Sequence, residues 1–145
     1  MTATQNEMTA LEIQERSSAE LGQLEQALND PQKLTEAAAA APALLLEYTA
    51  LRATARKQAV DARRARDIIS ARLHKQMKSA LTTAGIKPTV ADIEAEINQN
   101  EDYQRACADM DEQEFRSDLL AGAVDALQAA CAAANELVNY HAGDR

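Results

Sequence analysis

The sequence predicts an all-α protein: a long antiparallel helical hairpin with a short corner helix and an N-terminal helix, assembling into an oligomeric bundle or ring. Three observations carry this prediction. Composition is the first: the 145 residues include one Phe, three Tyr, no Trp, four Gly and three Pro. Those are too few aromatic residues and turn formers for a sheet protein, while the abundant Ala, Leu, Glu, Gln and Arg favour long helices. The second is residues 51–78, LRATARKQAVDARRARDIISARLHKQMK, which no Gly or Pro interrupts. At about 100° per residue, Leu51, Ala55, Ala59, Ala62, Ile69, Leu73, Met77 and Ala80 fall within an arc of roughly 80°. The third is a matching stretch over residues 101–140. Its seam is Tyr103, Ala106, Cys107, Met110, Ser117, Leu120, Ala121, Val124, Leu127, Cys131, Ala134 and Val138.

Residues 1–7 read as frayed. Residues 8–29 form a first helix, with Met8, Leu11, Leu21, Leu24 and Leu28 at helical spacing; Ser17-Ser18 and Gly22 weaken it, and Asn29-Asp30-Pro31 ends it. The segment PQKLTEAAAAAP is helix-prone, and Pro42 breaks or restarts the helix there. Residues 1–42 are therefore an N-terminal arm or a third, shorter bundle member, and residues 43–145 form the hairpin of a single domain. The first long helix runs from about Ala43 to Ala84, with Leu44 and Tyr48 beginning its seam. Gly85 is the candidate C-cap and Pro88 a stop signal. Thr89 is placed to cap a short helix, VADIEAEIN, with Asp92 near its positive end. Asn98-Gln-Asn100 makes a turn, and the last helix occupies residues 101–140. Two helices of matched length joined by a short corner form an antiparallel hairpin. A lone pair buries little, so it needs the N-terminal helix or further copies of itself.

The chain offers no catalytic constellation. It has no Gly-rich phosphate loop, no GxSxG and no Walker pattern, and neither His74 nor His141 has Cys or carboxylate neighbours at metal-ligand spacing. The reading is a non-enzyme with no metal, no cofactor and no small-molecule substrate. The longest apolar run, around residues 37–46, is too short to span a bilayer. The N-terminal residues have neither the basic nor the apolar region of a signal peptide, which points to the cytoplasm, that of a bacterial host if a phage encodes the chain. Cys107 and Cys131 lie 24 positions apart on one helix, too far to bond within it, and read as small buried apolar residues.

Charge is the informative feature. The formal net charge is −8, yet residues 51–87 hold ten basic and two acidic groups, between an N-terminal stretch with two and eight and a C-terminal one with three and thirteen. Most of the basic residues of the central helix lie on the side opposite its seam. The candidate nucleic-acid contacts are Arg52, Arg56, Lys57, Arg63, Arg64, Lys75 and Lys78, because Arg and Lys along a helix match a row of phosphates. No aromatic residue accompanies them, which argues against base-specific readout. On the last helix Asp111, Glu114, Asp118, Asp125 and Glu136 cluster away from the seam and are the candidate contacts for the basic side of another copy. A plain solvated surface, with pairs such as Arg63 and Asp67 at i,i+4, is the third reading of the same face.

A long Ala/Arg/Lys-rich helix, a Gly/Pro corner, a short acidic helix, Asn100-Glu-Asp-Tyr103 and Glu114-Phe115-Arg-Ser-Asp118-Leu119-Leu120-Ala-Gly-Ala-Val124-Asp-Ala-Leu127 follow in order. Over residues 43–140 this pattern resembles the UvsY-like recombination mediator family of phages. The resemblance implies a small all-helical protein that forms rings, binds single-stranded DNA, and helps load a RecA-like recombinase in place of a single-strand-binding protein. By position it implies DNA contacts at Arg56, Lys57, Arg63, Arg64, Lys75 and Lys78. Members often keep basic residues late in the last helix, whereas Gln128–Ala134 is neutral here, which speaks against a DNA surface reaching that far. Two other classes fit the charge pattern: a phage assembly or other coiled-coil protein that meets only proteins, and an acidic anti-defence inhibitor that mimics DNA. The basic face gives a mimic no advantage.

Overall fold

A computed structural model describes residues 8–143. It is all-α, with four helices and no strand among the described residues: α1 (Ala10–Leu28), α2 (Leu34–Thr83), α3 (Val90–Gln99) and α4 (Glu101–Gly143). The long α2 and α4 form the hairpin, and α3 is its corner.

Each boundary has a local cause. Thr9 caps α1 through a capping box: its hydroxyl accepts from the Glu12 N–H at 3.2 Å, and the Glu12 carboxylate accepts from the Thr9 N–H at 2.9 Å. Neither the Ser17-Ser18 pair nor Gly22 interrupts the helix. Asn29 closes it with its N–H on the carbonyls of Gln26 and Ala27. Asp30 then serves the next element, since its carboxylate accepts from the Gln32 N–H at 3.0 Å and its carbonyl from the Leu34 N–H at 3.0 Å. Pro31, placed after it, suits a first turn whose N–H groups have no helical partner anyway. Gly85 ends α2 with φ of +76°, where a side chain would be strained. Ile86 N–H then reaches the Leu81 carbonyl at 2.9 Å and Gly85 N–H that of Thr82 at 3.1 Å, the paired closure of a Schellman motif. Thr89 caps α3 as expected, accepting from the Asp92 N–H. Asn100 ends α3, and its side chain accepts from the Tyr103 N–H at 3.1 Å, so one residue stops α3 and starts α4.

One expectation fails. The first long helix begins at Leu34 rather than near residue 43, and it runs through Pro42. A proline removes one i→i−4 bond, here to Ala38, and crowds the preceding turn. Pro42 lies on the exposed face among alanines, where bulk is least and water can satisfy the freed carbonyl. The Asp30-Pro31 start and the Ala run outweigh the single break. A smaller difference is at the far end, where α4 continues to Gly143.

The chain divides into two compact units. Of the described residues, the first comprises those up to Ala55 together with those from Phe115 onward; the second is Arg56–Glu114. In the first, three helices share a core: Ile13 and Leu24 of α1, Ala37, Ala41, Tyr48 and Ala55 of α2, and Leu120, Ala123, Val124 and Leu127 of α4. The N-terminal helix is thus a third bundle member. Alanines on α2 let its neighbours approach closely, and Tyr48 fills the space they leave; its side chain is fully buried at 0% exposure. The second unit has a smaller core of Leu73, Ile93 and Ile97, with Ile69, Met77, Leu81 and Tyr103 packed against it. The seam expected on α2 is buried or half-buried at every position except Ala80, which is exposed. All twelve seam positions of α4 are at least half-buried, though Cys107 and Cys131 are half-buried rather than enclosed, with free thiols.

Candidate nucleic-acid interface

The basic residues of α2 are placed by the apolar side of the same helix. In the second unit Ala59, Ala62 and Leu73 are buried, which turns the opposite face outward. Along that outward crest, at three- and four-residue steps, come Lys57, Val60, Arg64, Ile68, Ala71 and Lys75, all exposed. Lys78 follows one turn later, also exposed, and Arg56 and Arg63 are exposed on the flank. Arg52 belongs to the first unit and is half-buried. From Lys57 to Lys78 the row extends roughly 32 Å at 1.5 Å per residue.

Few of these charges are compensated. Arg63 does not pair with Asp67, the partner expected from i,i+4 spacing; it pairs with Glu114 across the hairpin. Asp67 instead takes its neighbour Arg66, whose Nη2 and Nε donate to one carboxylate oxygen at 2.7 and 3.0 Å. Among the described residues Arg56, Lys57, Arg64, Arg72, Lys75 and Lys78 make no ion pair. Like charges three or four residues apart, such as Arg72 with Lys75 and Lys75 with Lys78, repel by a few tenths of a kcal/mol each. An anion laid along the row would relieve that repulsion.

The acidic candidates divide between the units. Asp111 and Glu114 lie in the second; Asp111 is exposed, and Glu114 is the in-chain partner of Arg63. Asp118, Asp125 and Glu136 lie in the first and are exposed on α4. Near them Phe115 and Tyr140 are 52% and 66% exposed.

No aromatic ring stands on the basic crest. Tyr103, the aromatic residue of the second unit, is half-buried against the Leu73 core, and the neighbouring Cys107 thiol, then burial, raise its phenol pKa above the ordinary value. Comparisons with protein-family profiles, with curated proteins and with solved structures each return no match. No described helix is long and apolar enough to cross a membrane. Among the described residues no cluster of three His, Cys, Asp or Glu side chains could hold a metal ion.

Two polar clusters in the first unit lie outside the charge pattern of the sequence. Arg16 donates to Glu20 at 2.8 Å and to Glu47, and its guanidinium lies 5.5 Å from the centre of the Tyr48 ring. Those two carboxylates raise the Arg16 pKa further, so it stays charged. The Tyr48 hydroxyl and one oxygen of Glu20 are buried without a completed hydrogen bond. The second cluster centres on Arg116, which is only 7% exposed and whose Nε donates to the Met8 carbonyl at 2.8 Å. The sequence does carry a signal for it: Arg116 stands in seam register with Leu120, Ala123 and Leu127.

Proposed function

We propose that the protein is a non-enzymatic, oligomeric accessory factor of DNA recombination or replication that binds single-stranded DNA through the cations of α2. The observation that carries this reading is the row from Lys57 to Lys78, most of it free of ion pairs and held outward by a buried alanine seam. A helix that keeps six cations uncompensated against their own repulsion, in a chain of net charge −8, is matched to an anionic partner. The resemblance to the UvsY-like mediators narrows that partner to a single strand. It adds self-assembly, and a recombinase or single-strand-binding protein as further partners in a bacterial cytoplasm.

The test is a filter-binding titration with single-stranded DNA over a range of salt. Each neutralised phosphate releases condensed counterions, with a log–log slope of about −0.7 per contact on single strands, so four to six contacts give roughly −3 to −4. Changing Lys57, Arg64 and Lys75 together to Ala should flatten the slope by about two units and leave helicity intact, since all three are exposed and Ala suits a helix at least as well. Absence of binding at about 50 mM salt, by protein shown to be folded, would end the proposal.

A second reading, an assembly or interaction protein without DNA, draws on the exposed Phe115 and Tyr140 of α4. Large exposed rings near carboxylates suit a protein partner with basic and apolar side chains. On that reading the titration yields no binding at any salt.

A further inference from the structure

The outward crest of α2 is not purely cationic. Val60 and Ile68, 49% and 61% exposed, stand in the same line as Lys57, Arg64 and Lys75, two turns apart and opposite the buried seam. A single exposed aliphatic residue is ordinary on a protein surface. This pair departs from the rule that the helix follows in the second unit. Leu46, in the first unit, is exposed as well, but from Arg56 onward α2 fills its other exposed apolar positions with Ala, at Ala65, Ala71 and Ala80. Ala is the better helix former, because β-branched side chains lose rotamer freedom against the preceding turn. At positions 60 and 68 the helix gives up that preference and exposes larger apolar groups between cations.

We infer that Val60 and Ile68 are specificity-determining contacts for the bases of a single strand, an inference that rests on the function proposed above. Phosphate pairing needs only the cations and treats single and double strands alike in kind. In a duplex the apolar faces of the bases are stacked inside, so the crest meets phosphates and leaves both aliphatic side chains in water. In a single strand the base faces are free to turn onto the protein while their phosphates follow the cations on either side. Aliphatic side chains are used against bases elsewhere, as wedges between steps or against the thymine methyl group. Because an aliphatic surface accepts any base, the contact selects strandedness and not sequence.

The experiment compares the wild-type chain with V60A/I68A for binding to a fluorescent oligothymidylate of about 30 nucleotides and to a duplex of equal length, each at several salt concentrations. Both changes are on the surface and raise helix propensity, so the variant folds, which circular dichroism and a thermal melt verify. Single-strand affinity should fall about tenfold, less than two stacked aromatic residues would give, with the salt slope unchanged. Duplex affinity should stay within about twofold. An unchanged single-strand affinity, or an equal loss on both substrates, overturns the inference; an unchanged affinity together with lost binding to an acidic protein would mark the crest as a protein-docking surface instead. If the wild-type chain itself binds no single strand, the proposed function fails and takes this inference with it. A normal wild-type titration with an indifferent double variant defeats the inference alone.

Discussion

Replacing Tyr48 with Ala should destabilise the fold by about 3–5 kcal/mol, the range for removing a large enclosed ring, and lower the thermal midpoint by about 10 °C. Tyr48 is fully buried among α1, α2 and α4 of the first unit, where the surrounding alanines are too small to fill the space it would vacate. Tyr48→Phe should behave oppositely at neutral pH. It keeps the ring and removes a buried hydroxyl that completes no hydrogen bond, so urea unfolding should find it neutral or slightly more stable. The two variants also differ in alkali. Burial, and then the neighbouring Glu20 carboxylate, raise the Tyr48 pKa above its ordinary 10.0, so the folded state holds the phenolic proton after the unfolded chain has lost it. The associated stability is complete below pH 10 and is lost as pH rises beyond it, with a limiting slope of about 1.4 kcal/mol per pH unit. The Phe variant should lose that contribution to the alkaline slope. A cost below about 1 kcal/mol for Tyr48→Ala would mean that the ring is not part of the core.

Arg116→Ala should cost about 2–4 kcal/mol, with its effect concentrated at the start of α1. The guanidinium is buried on α4 and donates to the carbonyl of Met8, the residue before the Thr9 cap. Truncation removes a charge-assisted bond, leaves that carbonyl short of a partner, and opens space beside Leu120. Lysine keeps the charge but not the planar fork, so Arg116→Lys should recover only part of the loss. Amide exchange at Glu12 and Ile13 would accelerate more than at Leu127 if Arg116 holds the N-terminal helix in place. Uniform acceleration would contradict that assignment.

How far these features can be read from the chain varies with the range of the interaction. The inward faces of both long helices follow from period and side-chain size, and every seam position but Ala80 is at least half-buried. The capping residues Gly85 and Thr89 act through backbone groups only a few residues away, so they too are legible. Pro42 misleads because its penalty is local, whereas the Asp30-Pro31 start and the Ala run act over several turns. Asp30 and Pro31 have the composition of an ending, although the same pair opens α2. The ion pairs are less legible still: i,i+4 spacing nominates Asp67 for Arg63, and the hairpin supplies Glu114 from 51 positions away. Val60 and Ile68 disappear into a face described only by charge, because an exposed aliphatic residue has meaning only once the buried side is known.

The two cores differ in more than size. The first gathers ten buried residues from three helices, whereas the second rests on Leu73, Ile93 and Ile97. Transient opening follows the number of apolar contacts that must be broken. The backbone around Leu73 should therefore exchange its amide hydrogens with solvent sooner than the backbone around Tyr48. The unpaired cations from Arg56 to Lys78 all lie on the side that opens more easily. A ligand that holds only the closed form multiplies protection there by one plus its concentration over Kd. Residues 69–81 thus act as an internal gauge of occupancy, and a deuterium-exchange map would register a bound partner of any chemical kind.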